Sequence, residues 1–206
     1  MIAIVNYGSG NIQAIGNIYK RLNISYIIAS KSDDLKNASK IILPGVGAFD
    51  QAIGELDSSG LRQALCEHVL RNKKCLLGIC VGMQLLAKKS EEGILEGLGW
   101  IDGKVNKFDH ANFDQTTHLP HMGWNSVEPV KNNQLFNNID LSSGYYFLHS
   151  YFFSCNRQED VLAITNYGGN FASAVNFENI YGVQFHPEKS QTDGLALLKN
   201  YIEMEV

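Results

Sequence analysis

The sequence has no surplus of positive charge. Its 17 lysine and arginine residues are fewer than its 21 aspartate and glutamate residues, which gives a formal net charge of −4 at pH 7. General nucleic-acid binding requires such a surplus to neutralise phosphates, so we exclude that class of function. Long apolar runs are missing as well, since the longest, over residues 75–87, is too short to span a bilayer and contains Gln84. We therefore expect neither a nucleic-acid partner nor a membrane.

Cysteine is scarce and shows no paired spacing. The four cysteines, Cys66, Cys75, Cys80 and Cys155, include no CxxC pair and no spacing typical of a zinc site. In a chain of 206 residues they do not suggest a disulfide framework, and a reducing compartment fits best. The first eight residues contain no basic leader and no cleavage site. We expect a cytoplasmic protein without a metal ion or a cofactor.

The first hundred residues alternate between strand-like and helix-like patterns. Apolar runs typical of strands buried on both faces occur at residues 2–5, 24–29, 40–43 and 75–77. Helices are predicted from the spacing of apolar residues over residues 12–22, 61–70 and 83–89. This alternation predicts an α/β fold whose mostly parallel central sheet is flanked by helices. In such a sheet, ligands bind beyond the carboxyl ends of the strands.

The second half has a different pattern. Short strand-like runs separated by turn residues occupy residues 103–108, 125–130, 145–153, 161–165, 172–177 and 180–185, and a last helix is predicted over residues 195–202. They predict an added, largely antiparallel sheet. Since no linker, repeat or low-complexity segment interrupts the chain, we expect one domain over residues 1–206.

A cysteine lies at the junction between a predicted strand and a predicted helix. Cys80 has a glycine two residues to either side, Gly78 and Gly82. This is the pattern of a nucleophile turn, with cysteine in the place of the more common serine. Unpaired N–H groups at a helix N-terminus favour the thiolate, which is the nucleophile. Taken alone, the pattern also fits a small, inert residue at the end of a strand.

A candidate base lies about a hundred residues further on. An apolar strand leads to His186, Pro187 makes the exit rigid, and Glu188 could hold the imidazole through its other nitrogen. On its own, a structural histidine before a proline is the simpler interpretation. Upstream, the glycines on either side of Val46 allow the loop at residues 44–47 to turn its N–H groups towards a ligand. A plain turn before a helix is the alternative for that loop.

Together, these three segments resemble the class I glutamine amidotransferases. Residues 121–125 and 146–151 also look like segments of the glutaminase subunit of imidazole glycerol phosphate synthase, and the resemblance covers essentially the whole chain. It implies the fold of that family and the hydrolysis of glutamine to glutamate and ammonia. Two positions depart from the family pattern: Asn6 stands where Asp is common, and Val81 where Leu is common.

The resemblance also implies the roles of individual residues. It makes Cys80 the nucleophile, His186 the general base and acid, and Glu188 the group that orients His186. The expected oxyanion hole consists of the N–H group of Val81 and the loop with Val46 and Gly47, which is expected to rearrange before it can donate. The residues expected to bind glutamine are Gln84, Glu92 and the backbone of His149, Ser150 and Tyr151.

A partner follows from the fate of the ammonia. In water at neutral pH, ammonia is protonated and lost as a nucleophile. The resemblance therefore implies a heterodimer with a (β/α)₈-barrel cyclase subunit, which uses the ammonia to make imidazole glycerol phosphate and AICAR in histidine biosynthesis. The residues that resemble that interface are Asn11, Trp124, Asn125, Tyr146 and Lys189. Ordinary packing is an alternative for Trp124 and Tyr146.

Three alternatives to this function stay open at the level of sequence. The first is a paralogous subunit that feeds ammonia to a synthase modifying surface sugars. The second is a catalytically silent scaffold, which the presence of Cys80, His186 and Glu188 opposes. The third is a cysteine hydrolase of other substrates, which the matches at Gln84 and Glu92 oppose.

Overall fold

The structure is a computed structural model, and it describes residues 1–109, 111, 113 and 118–205. The strands are β1 (Ile2–Val5), β2 (Tyr26–Ala29), β3 (Lys40–Gly45), β4 (Cys75–Cys80), β5 (Gly103–Lys107), β6 (His121–Asn125), β7 (Glu128–Pro129), β8 (Tyr145–His149), β9 (Tyr151–Cys155), β10 (Val161–Asn166), β11 (Asn170–Phe177) and β12 (Ile180–Val183). The α-helices are α1 (Ile12–Arg21), α2 (Phe49–Ser58), α3 (Leu61–Leu65), α4 (Val81–Gln84) and α5 (Gln191–Glu203), and a π-helical stretch, Cys66–Arg71, continues α3.

Within the described residues, ten strands form one sheet. Its order is β2-β1-β3-β4-β12-β11-β10-β7, with β9 paired to β11 and β5 paired to β9. In this order, the four neighbouring pairs from β2 at one edge to β12 are parallel, and the pairs β12-β11, β11-β10 and β10-β7 are antiparallel. Strands β1, β3 and β4 are buried along their whole length, as expected for parallel strands covered on both faces. The predicted fold class is confirmed, and β6 and β8 add a separate antiparallel pair.

The run at residues 145–153 is two strands instead of one. It breaks at Ser150, so that β8 pairs with β6 while β9 pairs with β5 and β11. The prediction of a strand over residues 125–130 was also wrong, because Asn125 ends β6 and only Glu128–Pro129 forms the short β7. The carbonyl oxygen of Tyr151 accepts side-chain hydrogen bonds just after the break. This corner turns the backbone towards the carboxyl end of β4.

The helix after Cys80 is shorter than predicted. It covers only Val81–Gln84, because the carbonyl groups that follow accept hydrogen bonds from a returning segment instead of from the next helical turn. The N–H group of Leu98 donates to the Leu85 carbonyl at 2.8 Å, and that of Trp100 donates to the Leu86 carbonyl at 2.9 Å. One helical turn sums few peptide dipoles, so the helix contributes less to the electrostatics of Cys80 than the sequence pattern suggested.

Helix α5 is hydrogen-bonded to β3 and β4, the strands that lead to the candidate site. The Lys40 Nζ atom, at the start of β3, donates to the carbonyl oxygens of Tyr201 at 2.7 Å and Ile202 at 2.9 Å, and also to that of Met204. The Tyr201 hydroxyl donates to the carbonyls of Ile41 in β3 and Cys75 in β4. The bonds from Lys40 satisfy carbonyl groups at the helix C-terminus that would otherwise lack donors.

No helix in the described part of the chain is both long enough and apolar enough to cross a membrane.

Candidate active site

Cys80 occupies a strained turn at the carboxyl end of β4. Its φ of 55° and ψ of −114° lie in a region that residues other than glycine rarely adopt. The backbone is so crowded there that a Cβ atom on Gly82 would lie 1.9 Å from the Leu43 carbonyl oxygen, and one on Gly78 would lie 2.6 Å from the Gly82 carbonyl oxygen. Only glycine fits at these two positions, which explains the pattern around the cysteine.

The side chains of Cys80, His186 and Glu188 form a continuous relay. The Cys80 and His186 side chains line the same cavity, and Cys80 contributes to the electrostatics of the imidazole. His186 Nδ1 lies 2.8 Å from Glu188 Oε1, and the side chains of His186 and Glu188 are only 3% and 1% exposed. Since Nδ1 faces the carboxylate, Nε2 is the nitrogen that faces the sulfur. The structure thus brings together the three residues that the sequence singled out for catalysis.

Asn11 belongs to this relay as well. Its Nδ2 atom donates to Glu188 Oε1 at 2.7 Å, so one carboxylate oxygen accepts from both Asn11 and His186. The sequence placed Asn11 at a partner interface and gave no sign of this contact. It arises because Asn11 precedes α1 at the carboxyl edge of the sheet, beside the loop that follows β12.

The electrostatics of the relay favour a charged imidazole. Burial alone would lower the pKa of His186, but the interactions of the imidazole with Cys80 and Glu188 outweigh it and raise this pKa to about 10. Burial would raise the pKa of Glu188, yet its bonds to His186 and Asn11 hold that pKa below its usual value. The pair can therefore carry the proton that leaves a thiol during nucleophilic attack.

The loop with Val46 and Gly47 is tied to Ser9. The Val46 N–H group donates to Ser9 Oγ at 2.9 Å, and Ser9 Oγ donates to the Val46 carbonyl at 2.8 Å. Gly47 has a φ of 88°, which suits a loop that can change its peptide orientation. With its N–H group bound to Ser9, Val46 offers no donor to the cavity in this conformation. The sequence gave no indication of the contact with Ser9.

A cavity of about 450 Å³ opens at Cys80. Its lining includes every residue expected to bind glutamine, together with four expected interface or loop residues and two that the sequence did not suggest. These are, in that order, Gln84, Glu92, His149, Ser150 and Tyr151; Asn11, Val46, Gly47 and Lys189; and Pro120 and Leu148. The Glu92 carboxylate accepts from the N–H group of Phe49 at 2.9 Å, at the first residue of α2. A helix N-terminus stabilises a carboxylate held in this way.

Two buried histidines support the corner at Ser150. His149 Nδ1 lies 2.7 Å from the Tyr151 carbonyl, so Nδ1 must carry the proton and Nε2 must accept. His121 Nδ1 donates to that Nε2 at 2.9 Å, and Asn125 Nδ2 donates to His121 Nε2 at 3.2 Å. Burial lowers the pKa of His121 to about 4 and that of His149 to about 3, so both rings are neutral at pH 7. Sequence reasoning missed the role of His121.

The outer face of the β6–β8 pair is apolar and exposed. Directly opposed residues form it, Met122 with Leu148 and Trp124 with Tyr146. Met122 is 66% exposed, Trp124 46% and Leu148 39%. The Lys189 ammonium lies 5.2 Å from the centre of the Tyr146 ring. Period-two alternation along β6 and β8 could have identified Met122 and Leu148 from the sequence.

Asn125, expected at the same interface, uses its side chain internally. Its Nδ2 atom donates to His121 Nε2 and to the Asn166 carbonyl, and its Oδ1 atom accepts from the N–H group of Ser126. Its role at a partner surface stays a prediction.

Comparison with known proteins places the chain in a family. The family model described as glutamine amidotransferase class-I matches residues 3–204. The chain is 52% identical over 204 residues to the imidazole glycerol phosphate synthase subunit HisH of Bdellovibrio bacteriovorus, covering 99% of this chain and 100% of the relative. It is 48% identical to the subunit of the same name from Leptospira borgpetersenii, with the same coverage, and 41% identical to a subunit HisH 2 of Pseudomonas aeruginosa, again with the same coverage.

Solved structures agree on the fold. A crystal structure of a glutamine amidotransferase superposes with a TM-score of 0.72 at 19% identity, covering 98% of each chain. A chain of PurLQS from Thermotoga maritima gives a TM-score of 0.69 at 17% identity, covering 98% of this chain and 97% of the other. The chain belongs to the class-I glutamine amidotransferase family and, within it, to the family of imidazole glycerol phosphate synthase HisH subunits.

Proposed function

We propose that the chain is the glutaminase subunit of an imidazole glycerol phosphate synthase. In one amidotransferase domain over residues 1–206, it hydrolyses glutamine to glutamate and ammonia. The ammonia passes to a cyclase subunit, which makes imidazole glycerol phosphate and AICAR in histidine biosynthesis. The observation that carries the proposal is the buried relay of Cys80, His186 and Glu188 at the wall of a cavity of about 450 Å³.

The reaction begins with attack by sulfur. His186 Nε2 takes the proton of Cys80, and the sulfur attacks the side-chain amide carbon of glutamine. The negative charge that develops on the amide oxygen requires preorganised donors. The N–H group of Val81 is one of them. The loop with Val46 and Gly47 supplies the second once the peptide releases Ser9.

Collapse of this intermediate produces the two products in turn. His186 returns its proton to the amide nitrogen, ammonia leaves, and a thioester forms on Cys80. His186 then takes a proton from water, whose oxygen attacks the thioester, and glutamate leaves as the thiol is restored. Throughout, the Glu92 carboxylate receives the α-ammonium group of glutamine, and Gln84 and the backbone of residues 149–151 hold the rest of the substrate.

The partner is a (β/α)₈-barrel cyclase subunit, bound as a heterodimer in the cytoplasm. Ammonia must cross to the partner without meeting bulk water, so the partner has to cover the cavity. The exposed apolar face with Met122, Trp124 and Leu148 supports docking there, because Leu148 also lines the cavity. Interfaces are rich in such aromatic and methionine side chains. Asn11, Asn125, Tyr146 and Lys189 complete the proposed interface.

A second candidate differs only in the acceptor of the ammonia. One relative, 41% identical, is named subunit HisH 2, so numbered copies occur among the relatives. The second candidate is such a paralogous subunit, serving a synthase that modifies surface sugars. The same active-site chemistry would operate there. Reconstitution with each candidate synthase from the source cell distinguishes the two, because only the true partner should stimulate glutamine hydrolysis when its own acceptor is bound.

The test of the function is Cys80→Ala in the complex with the cyclase subunit. We expect glutamate formation to fall by at least about 10⁴-fold, while size-exclusion chromatography shows an intact complex. Cys66→Ala is the matched control, since Cys66 is half-buried and does not line the cavity, and it should retain full activity. Turnover retained by Cys80→Ala would refute the mechanism.

A further inference from the structure

A buried amide connects the glutamine-binding wall of the cavity to the sulfur of Cys80. Gln184 follows β12, and its side chain is fully buried. Its Oε1 atom accepts from Gln84 Nε2 at 3.0 Å, and its Nε2 atom lies 3.8 Å from Cys80 Sγ. A polar side chain this deep in the core is costly unless it is hydrogen-bonded, and here one of its two bonds goes to the reacting atom.

The direction of these hydrogen bonds is fixed by a backbone carbonyl. Gln84 Nε2 lies 3.0 Å from the Tyr151 carbonyl oxygen, which can only accept. The group of Gln84 that faces it must therefore be the amide NH₂. That NH₂ also faces Gln184, so the end of Gln184 towards Gln84 must be the carbonyl oxygen. The opposite end of Gln184, which faces the sulfur, is then the NH₂ donor.

We propose that Gln184 is a further catalytic residue, whose amide N–H donates a hydrogen bond to the sulfur of Cys80 and stabilises the thiolate. The inference deepens the proposed function and rests on it. The sulfur also lies 3.9 Å from the Leu148 carbonyl, which can accept from the thiol but repels a thiolate. A donor on the other side is needed to balance that carbonyl once the proton has moved to His186.

The other groups around the sulfur do not replace this donor. His186 Nε2 faces the sulfur as well, but its proton is the one that moves on to the amide nitrogen of glutamine, whereas the Gln184 N–H keeps its hydrogen throughout the reaction. Tyr7 also influences the site, but burial raises its pKa well above the usual value and its hydroxyl donates to the Pro44 carbonyl at 2.8 Å. In a buried site, a hydrogen bond to a charged group is worth more than one in water.

The chain of amides also determines which atom of Gln84 meets the substrate. Both hydrogens of its NH₂ group are used, one by the Tyr151 carbonyl and one by Gln184. Gln84 therefore presents its carbonyl oxygen to a donor of the bound glutamine. Bonds in such a chain polarise one another, so substrate binding should strengthen the donor at the sulfur.

The test measures the reactivity of Cys80 without glutamine. In the full chain, the rate of Cys80 alkylation by iodoacetamide is followed from pH 5 to pH 10 by peptide mass spectrometry. Gln184→Met removes the donor, and we expect alkylation at pH 7 to slow about tenfold and the midpoint of the profile to move to higher pH. Gln184→Glu keeps the acceptor for Gln84 but replaces the donor with a carboxylate, whose negative charge opposes ionisation of the thiol. We expect the alkylation rate at pH 7 to fall about a hundredfold.

Ser173→Ala is the matched control. Ser173 pairs with Gln184 through the backbone, is fully buried and has a hydroxyl without a hydrogen-bond partner in the described part of the chain. Its removal disturbs the same region but not the sulfur, so the alkylation profile should not move. Thermal unfolding checks that the variants fold, and the alkylation profile of one folded Gln184 variant is enough to test the role of Gln184.

An unchanged profile in a folded Gln184 variant would overturn the proposal. The outcome is separable from the proposed function, because alkylation reports on the sulfur alone. If Cys80→Ala still hydrolysed glutamine, the function would fail whatever the profile of Gln184→Met. If the profile did not move but Cys80→Ala were inactive, only the role of Gln184 would fail.

Discussion

Replacing Glu188 with glutamine removes the charge of the relay while keeping its shape. In the native site, Glu188 Oε1 accepts from His186 Nδ1 at 2.8 Å and from Asn11 Nδ2 at 2.7 Å. Because two donors converge on this position, the amide oxygen of the new side chain should occupy it. His186 then keeps its tautomer. The amide NH₂ falls at the place of Oε2, a buried atom without a hydrogen-bond partner in the described residues.

The size of the effect follows from the burial of the pair. Removing one partner of a buried, hydrogen-bonded ion pair costs about 3 to 5 kcal/mol. Full loss of that energy from the imidazolium in the transition state would lower kcat/KM by about 10²- to 10⁴-fold. Because the hydrogen bond and the tautomer survive, we expect Glu188→Gln near the lower limit. Glu188→Ala leaves the Nδ1 donor unpaired and the tautomer free, so we expect a loss of about 10⁴-fold.

The assay is steady-state glutamate formation by the complex with the cyclase subunit, over a range of glutamine concentrations. The expected order is wild type above Glu188→Gln above Glu188→Ala, with the loss in kcat and not in KM, since Glu188 does not line the cavity. Full activity of Glu188→Gln would refute the electrostatic role of the carboxylate. Equal activities of the two variants would refute the argument that Asn11 and His186 together fix the amide.

Two further predictions concern the fold around the site. Gly82→Ala should unfold the protein or lower its free energy of unfolding by more than about 4 kcal/mol, because the new Cβ would lie 1.9 Å from a backbone oxygen. Gly54→Ala is the control: nothing lies near its Cβ, so the free energy of unfolding, measured by chemical denaturation, should rise by up to about 1 kcal/mol. His121→Gln should flatten the pH dependence of stability. Burial lowers the pKa of His121 to about 4 from its usual 6.5, so the unfolded state binds the proton first as pH falls. Between these values, His121 contributes a loss of stability of about 1.4 kcal/mol per pH unit in the wild type, and the variant lacks this contribution. Urea titrations at pH 6.5 and 4.5 measure the difference, and equal slopes in wild type and variant would contradict it.

The parallel half of the fold could be predicted from the sequence because its signals are local. Runs of apolar residues mark strands buried on both faces, and the glycines around Cys80 mark a turn that only they can make. The length of the helix after Cys80 could not be predicted in this way. The helix ends where the N–H groups of Leu98 and Trp100 donate to carbonyls that the next helical turn would otherwise use, and these two residues lie in a segment without a regular sequence pattern.

The antiparallel half was harder to predict, because the ends of its strands also depend on contacts between residues that are far apart in sequence. The run over residues 145–153 reads as one strand, and its break at Ser150 is fixed by partners remote in sequence, His121 and Gln84 among them. The contact of Asn11 with Glu188 joins residues that are 177 positions apart. Composition and spacing identify which side chains can do chemistry, but such contacts decide how those side chains are oriented.

The most direct test of the central claim is capture of the thioester on Cys80. With hydroxylamine present, the complex should form γ-glutamyl hydroxamate at the expense of glutamate, while ammonia release stays constant, because both nucleophiles compete for one acyl intermediate. Cys80→Ala should form neither product. Glutamate formation without any hydroxamate, or either product from Cys80→Ala, would contradict catalysis through a covalent intermediate on this cysteine.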